Sequence, residues 1–305
     1  MIAKSRFGVL PNGEVAFLYT LTNKSGARTT ITDYGAAVTS LFVPDRKGNL
    51  ADVVLGYDSL NGYVNDKSYL GVIVGRYGNR IGKGTFTLEG REYHLTINDG
   101  ENHLHGGTNG FHKRLWKAEP MQTDSSQSLK LTLSSADGDE GYPGNVTVQV
   151  VYTLTDNDEL VIDYKGTTDQ TTILNPTHHS YFNLTGSPAN TILDHVLELA
   201  SDSLTPVDQG LITTGELTSV ENTPMDFRTP TRIGSRIDDH YTQLAYGKGY
   251  DHNWVIRNHD GTIRKAVELY DPSSGRRMTM LTDQPGIQFY SGNFLNGTTK
   301  GKGGT

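Results

Sequence analysis

The sequence of 305 residues carries 27 Lys and Arg against 34 Asp and Glu, a formal charge of −7. No basic tract of the kind that pairs with a phosphate backbone is present, which argues against nucleic acid as a partner, and 35% hydrophobic residues suffice for a substantial core. Cysteine is absent, so disulfides and thiolate metal sites are excluded. The charged opening Met1-Ile-Ala-Lys-Ser-Arg-Phe-Gly8 and the want of any long apolar run point to a soluble, unsecreted, cytoplasmic protein without membrane spans.

In chain order, the dominant period is two. Residues 15 to 22, 28 to 33, 37 to 43 and 52 to 56 alternate apolar and polar side chains as half-buried strands do. Ser59 to Asp66 is the best helix candidate, and it is short. A strand follows at 92 to 96, and Leu129, Leu131 and Leu133 then resume the alternation. In the segment 146 to 154, Val146, Val148, Val150, Tyr152 and Leu154 form one apolar face; the turn Thr155-Asp-Asn-Asp158, then Leu160, Ile162 and Tyr164, complete a hairpin. Runs at 191 to 199, 266 to 270 and 277 to 281 continue the pattern. The 35 glycines and 11 prolines are scattered, with no linker block. The expectation is one all-β domain over 1–305, a large antiparallel β-sandwich, which the number of strands favours over a barrel.

Histidine carries the chemical signal, because several of the ten lie in polar, turn-rich surroundings. In Glu101-Asn-His-Leu-His-Gly-Gly107, an extended backbone would send His103 and His105 to one side, and the glycines would let a ligand approach the chain. A metal-binding His-x-His pair is the sharp alternative, but no carboxylate accompanies it between Gly106 and His112. In Asn175-Pro-Thr-His-His-Ser-Tyr-Phe-Asn-Leu-Thr-Gly186, His178 and His179 must point oppositely, so at most one faces a given pocket, and Pro176 marks an edge or irregular strand. Tyr250-Asp-His-Asn-Trp254 sets an acid beside aromatics, a composition suited to sugar hydroxyls and an apolar sugar face. Gly75-Arg-Tyr-Gly-Asn-Arg-Ile-Gly82 offers two arginines, for which a solvated surface is the default reading.

These segments, in this order, together with Gln284-Pro-Gly-Ile-Gln-Phe-Tyr-Ser-Gly-Asn293, Asp139-Glu-Gly-Tyr-Pro-Gly144 and Thr223-Pro-Met-Asp-Phe-Arg228, resemble the aldose 1-epimerase (galactose mutarotase) family from about Phe7 onward. The resemblance implies interconversion of the α and β anomers of an aldohexose such as galactose or glucose, with no metal and no organic cofactor, by a monomer or weak homodimer. It implies His179 as general acid and His105 as its helper at the ring oxygen. Asn79, Arg80, Ser180, Tyr181, Asp251 and Gln284, with the two histidines, would hold the sugar. His178 stands where the family has Asn or another small polar residue, a change without consequence if its ring turns away from the site.

The family's general base is a glutamate in a late Gly-x-x-Leu-Glu-Thr strand, and no glutamate follows Glu268 here. The expectation is therefore a chain truncated at its C-terminus and impaired in catalysis; an enzyme with a relocated base and a sugar-binding relative without turnover are the alternatives. A hexose-phosphate 1-epimerase on the same scaffold would need more basic residues around its pocket than this acidic chain suggests.

Overall fold

A computed structural model describes residues 2–305, and the chain divides into two compact units. The first comprises Met1–Val43, Leu50–Phe182 and Lys300–Thr305; the second comprises Pro44–Asn49 and Asn183–Thr299.

The first unit is built on two antiparallel sheets. One has five strands in sequence order, Ala3–Val9, Val15–Thr22, Arg28–Thr32, Val38–Pro44 and Leu50–Asp52. The other has four, Lys117–Gln122, Ser126–Ser135, Val146–Thr155 and Leu160–Thr168. Alternation decides which side chains meet: along Val146–Thr155 every second residue is buried, and Val146, Val148, Val150, Tyr152 and Leu154 join Leu129, Leu131 and Leu133 in a core shared with Tyr19, Leu21, Ile31 and Val38 of the five-stranded sheet. Two sheets packed through such inner faces are a sandwich, as expected. Each fully buried aliphatic of this kind is worth about 1.5–3 kcal/mol.

Short ladders carry the segments rich in histidine and arginine. Arg80–Ile81 pairs with His103–Leu104, and Ile73–Val74 pairs with Thr177–His178. The helix expected at Ser59 to Asp66 is Leu60–Asn65, with Ser59 as N-cap accepting from the Gly62 amide and Asp66 as C-cap. The strand expected at 52 to 56 ends early, at Asp52; the Val53 amide still donates to the Leu41 carbonyl at 2.9 Å, and Val54 makes a single bridge to Phe182.

The second unit has two four-stranded antiparallel sheets. In spatial order these are Thr231–Arg232, Val196–Leu199, Arg264–Tyr270 and Arg277–Thr282, and then Thr218–Ser219, Ser201–Thr205, Asp251–Ile256 and Gly286–Tyr290. Phe227, Tyr250, Trp254 and Phe289 form its aromatic core, with the Trp254 indole donating to the Met225 carbonyl at 3.1 Å. The strand expected at 191 to 199 begins only at Val196, because His195 closes a turn onto Ile192. A second short helix, Thr242–Gly247, has no counterpart in the sequence reading. No described helix is long and apolar enough to cross a membrane.

Candidate active site

The site residues of the first unit are brought together by its short ladders. His105 does not continue the strand His103–Leu104; its φ of 53° turns the chain, so the two histidines part instead of sharing a side. His103 is fully buried, donates from Nδ1 to the Thr96 carbonyl at 2.6 Å and accepts the Tyr142 hydroxyl at Nε2, also at 2.6 Å. Both its nitrogens are committed, which removes the His-x-His metal pair; among the described residues no group of three His, Asp or Glu side chains converges as a metal set.

His105 is locked by reciprocal bonds to Asn79. The Asn79 amide donates to His105 Nδ1 at 3.0 Å, and the His105 amide donates to the Asn79 carbonyl at 3.1 Å. A ring that accepts at Nδ1 carries its proton on Nε2, so His105 presents an N–H donor. Asn79 itself has a φ of 68° and uses its side-chain oxygen to accept the Arg80 amide. Arg80 donates from Nε to Asp99 at 2.7 Å and is only 15% exposed, not a solvated surface arginine. Arg76 is a structural residue: buried, it donates to Ser135 and to the carbonyls of Ser135, Ala136 and Pro143.

The glycines after His105 serve packing, not ligand approach. A Cβ on Gly106 would lie 1.6 Å from the Gly75 carbonyl oxygen, and one on Gly107 would lie 2.1 Å from the Glu140 carboxylate. That carboxylate accepts the Thr108 and Asn109 amides at 3.1 and 2.8 Å, clamping the loop that follows His105.

His179 is held by backbone bonds, its amide to the Val72 carbonyl at 2.9 Å and its carbonyl from the Gly71 amide at 3.0 Å. Its ring lies 5.0 Å from that of His105 and 5.3 Å from that of Tyr181, whose hydroxyl donates to the Ser68 carbonyl. His178 points the other way, as the alternation requires, and donates from Nδ1 to the Tyr152 hydroxyl at 3.3 Å, that hydroxyl giving its own proton to the Ala36 carbonyl. Ser180 Oγ is buried and meets no hydrogen-bond partner among the described residues.

The two facing imidazoles differ electrostatically. Burial pushes His105 well below the usual histidine range, and the neighbouring His179, His112 and Arg80 push it further. Burial also lowers His179, but the Asp66 carboxylate works against that shift. His179 is therefore the member of the pair better placed to hold a proton, and His105 the one held neutral.

In the second unit, Asp251 opens the strand Asp251–Ile256, whose burial alternates so that His252, Trp254 and Ile256 face the core. Tyr250 and Trp254 are both fully buried, so neither offers an apolar face to a sugar, contrary to the expectation. Asp251 accepts the Gln288 side-chain amide at 2.8 Å. Gln284 stands elsewhere: exposed, it donates to Asp283 at 2.8 Å and precedes the end of Gly286–Tyr290 that pairs with Val255, whereas Asp251 pairs with Tyr290. The glutamine beside Asp251 is thus the second of the Gln-Pro-Gly-Ile-Gln motif. Strand period was the signal that could have found it, since Gln288 opposes Asn253 on the face Asp251 shares.

Tyr69 went unnoticed in the sequence, and His112 was read there only as a further histidine beside the His-x-His pair. Tyr69, with a φ of 58°, places its ring 4.6 Å from that of His105 and 4.8 Å from that of His112. His112 is buried, and its Nδ1 has no hydrogen-bond partner among the described residues.

Comparison with known proteins gives the family. The family described as Aldose 1-epimerase matches residues 18–304. The galactose mutarotase of Bos taurus is 43% identical over 303 residues, 99% of this chain and 85% of its own length. The aldose 1-epimerase of Escherichia coli K12 is 36% identical over 290 residues, 94% of this chain and 82% of its own. Among solved structures, that of galactose 1-epimerase from Lactobacillus acidophilus superposes with a TM-score of 0.87 at 27% identity, covering 98% of this chain and 85% of that one. This chain belongs to the aldose 1-epimerase family.

Proposed function

We propose that the protein interconverts the α and β anomers of an aldohexose of the galactose or glucose type, with His179 as general acid and His105 as hydrogen-bond donor to the ring oxygen. The observation that carries this reading is the pair of facing imidazoles 5.0 Å apart, with His105 fixed as an Nε2–H donor by the Asn79 amide.

A base takes the proton of the C1 hydroxyl; the electron pair of that O–H bond forms the C1 carbonyl as the bond from C1 to the ring oxygen breaks. His179 gives its proton to the departing ring oxygen, and the neutral His105 Nε2–H steadies the charge that develops there. Rotation about C1–C2 and closure with the transfers reversed yield the other anomer. Atoms and electrons balance without any redox or transferred group. Asn79 and Arg80, held by His105 and Asp99, supply donors and acceptors for sugar hydroxyls. Ser180 and Tyr181 flank the acid.

The base is the step for which these residues offer no glutamate matching the family pattern, none following Glu268. General-base help is worth about two to four orders of magnitude. Polarimetry of freshly dissolved α-galactose tests the reading. His179→Gln is expected to abolish the acceleration over buffer and His105→Gln to reduce it at least about tenfold; sugar binding by calorimetry with no acceleration in the parent chain would favour a binding module.

A further inference from the structure

Tyr69 is an aromatic residue in a backbone conformation that L side chains rarely adopt, with a φ of 58°. The turn that holds it there is fixed from several sides. Asp66 accepts the Ser68 amide at 2.8 Å, the Leu70 amide at 2.9 Å and the Tyr57 hydroxyl at 2.6 Å. Tyr181 donates to the Ser68 carbonyl at 2.8 Å, and Lys113 donates to the Asp66 carbonyl at 2.9 Å. An outlier so thoroughly held invites the question of what it holds in turn.

Its ring meets three imidazoles. Those of His105 and His112 lie 4.6 and 4.8 Å away and present edges to it, and that of His179 lies 5.8 Å away and tilted. The three come from three separate segments, and no hydrogen bond joins one imidazole to another among the described residues. Tyr69 is the common neighbour.

We propose that Tyr69 is a positioning residue whose ring, wedged among His105, His112 and His179, sets the planes of the two histidines that work on the sugar. The aromatic face and edges do this, not the hydroxyl. The other groups facing these imidazoles are Asp66 toward His179, Arg80 and His103 toward His105, and Lys113 toward His112, with Tyr181 beside His179. None of them touches all three rings.

The proposal rests on the anomer-exchange reading, and the test separates the two. Imidazole nitrogen NMR spectra would be recorded from pH 5 to 9 on the 305-residue chain and on Tyr69→Phe, Tyr69→Leu and Tyr69→Trp, with thermal melts alongside. Tyr69→Phe is expected to keep His105 as the Nε2–H tautomer and both titrations in place. Tyr69→Leu, which admits water, is expected to raise the titration of His105 or His179 by at least about half a pH unit, and to slow anomer exchange about tenfold with KM changed less than about threefold. If the Leu variant does not fold, Tyr69→Trp must displace the His105 signals. A folded Leu or Trp variant with both imidazoles unmoved, whatever its melting temperature, would overturn the proposal, as would a Phe variant that behaves like Leu. Absence of anomer exchange in the parent chain would refute the function while leaving the imidazole result to be read on its own.

Discussion

His112 and His178 are buried neutral, each pushed down to about 3 by desolvation first and by neighbouring charge second. In the unfolded chain both titrate near 6.5. Below that pH the unfolded state binds the extra protons, so the stability these groups confer is complete above about 6.5 and is lost as pH falls toward 3, by up to about 1.4 kcal/mol per pH unit for each group. His178→Asn, which removes one of the two without touching His179, is expected to flatten the fall in urea midpoint between pH 7 and pH 4.5; an unchanged slope would contradict the assignment. At this scale the sequence disclosed the histidine pair, since His105 and His179 lie in motifs, and alternation alone separated His178 from His179. It hid Tyr69, whose importance comes from contacts across three segments and a positive φ that nothing in the local sequence announces. It also did not show that Gln288 meets Asp251, because a motif says that two glutamines are near one another and only strand register says which of them does so.

Among the elements, the strongest local constraint is the crossing of Gly106 with the Gly75 carbonyl. Gly106→Ala has to place a methyl group 1.6 Å from that oxygen at a φ of 86°, and is expected to cost at least about 4 kcal/mol or prevent folding, read as a lowered melting temperature. Glu140→Gln keeps the side chain's shape but weakens its grip on the Thr108 and Asn109 amides, and should cost about 1 kcal/mol, checked by the same melts. Val150→Ala, on the buried face of Val146–Thr155, is expected to lose about 1–3 kcal/mol, whereas its neighbour Gln149 on the other face should tolerate alanine within about 0.5 kcal/mol. Long alternating strands of this kind were legible because one face is core and the other is not. The two-residue ladders Arg80–Ile81 and Thr177–His178 were not, since two residues carry no period. Their partners, His103–Leu104 and Ile73–Val74, lie far off in the sequence and are fixed by backbone pairing that no local pattern records.

For the molecule as a whole, class and chemistry were legible at different depths. An all-β reading followed from composition and period, and the two sheets sharing Tyr19, Ile31, Leu131 and Val150 realise it. The chemistry was legible only as an ordered set of motifs, each weak alone. Net acidity and the absence of a basic cluster agree with an uncharged substrate, so glucose 6-phosphate is expected to exchange anomers no faster than in buffer at concentrations where galactose responds. The measurement that reaches the central claim most directly is the decay of optical rotation of α-galactose with the 305-residue chain and its His179→Gln variant side by side. The parent chain is expected to accelerate the decay above the buffer rate and the variant to lose that acceleration. Equal rates for the two chains, or no acceleration by either, would contradict the claim.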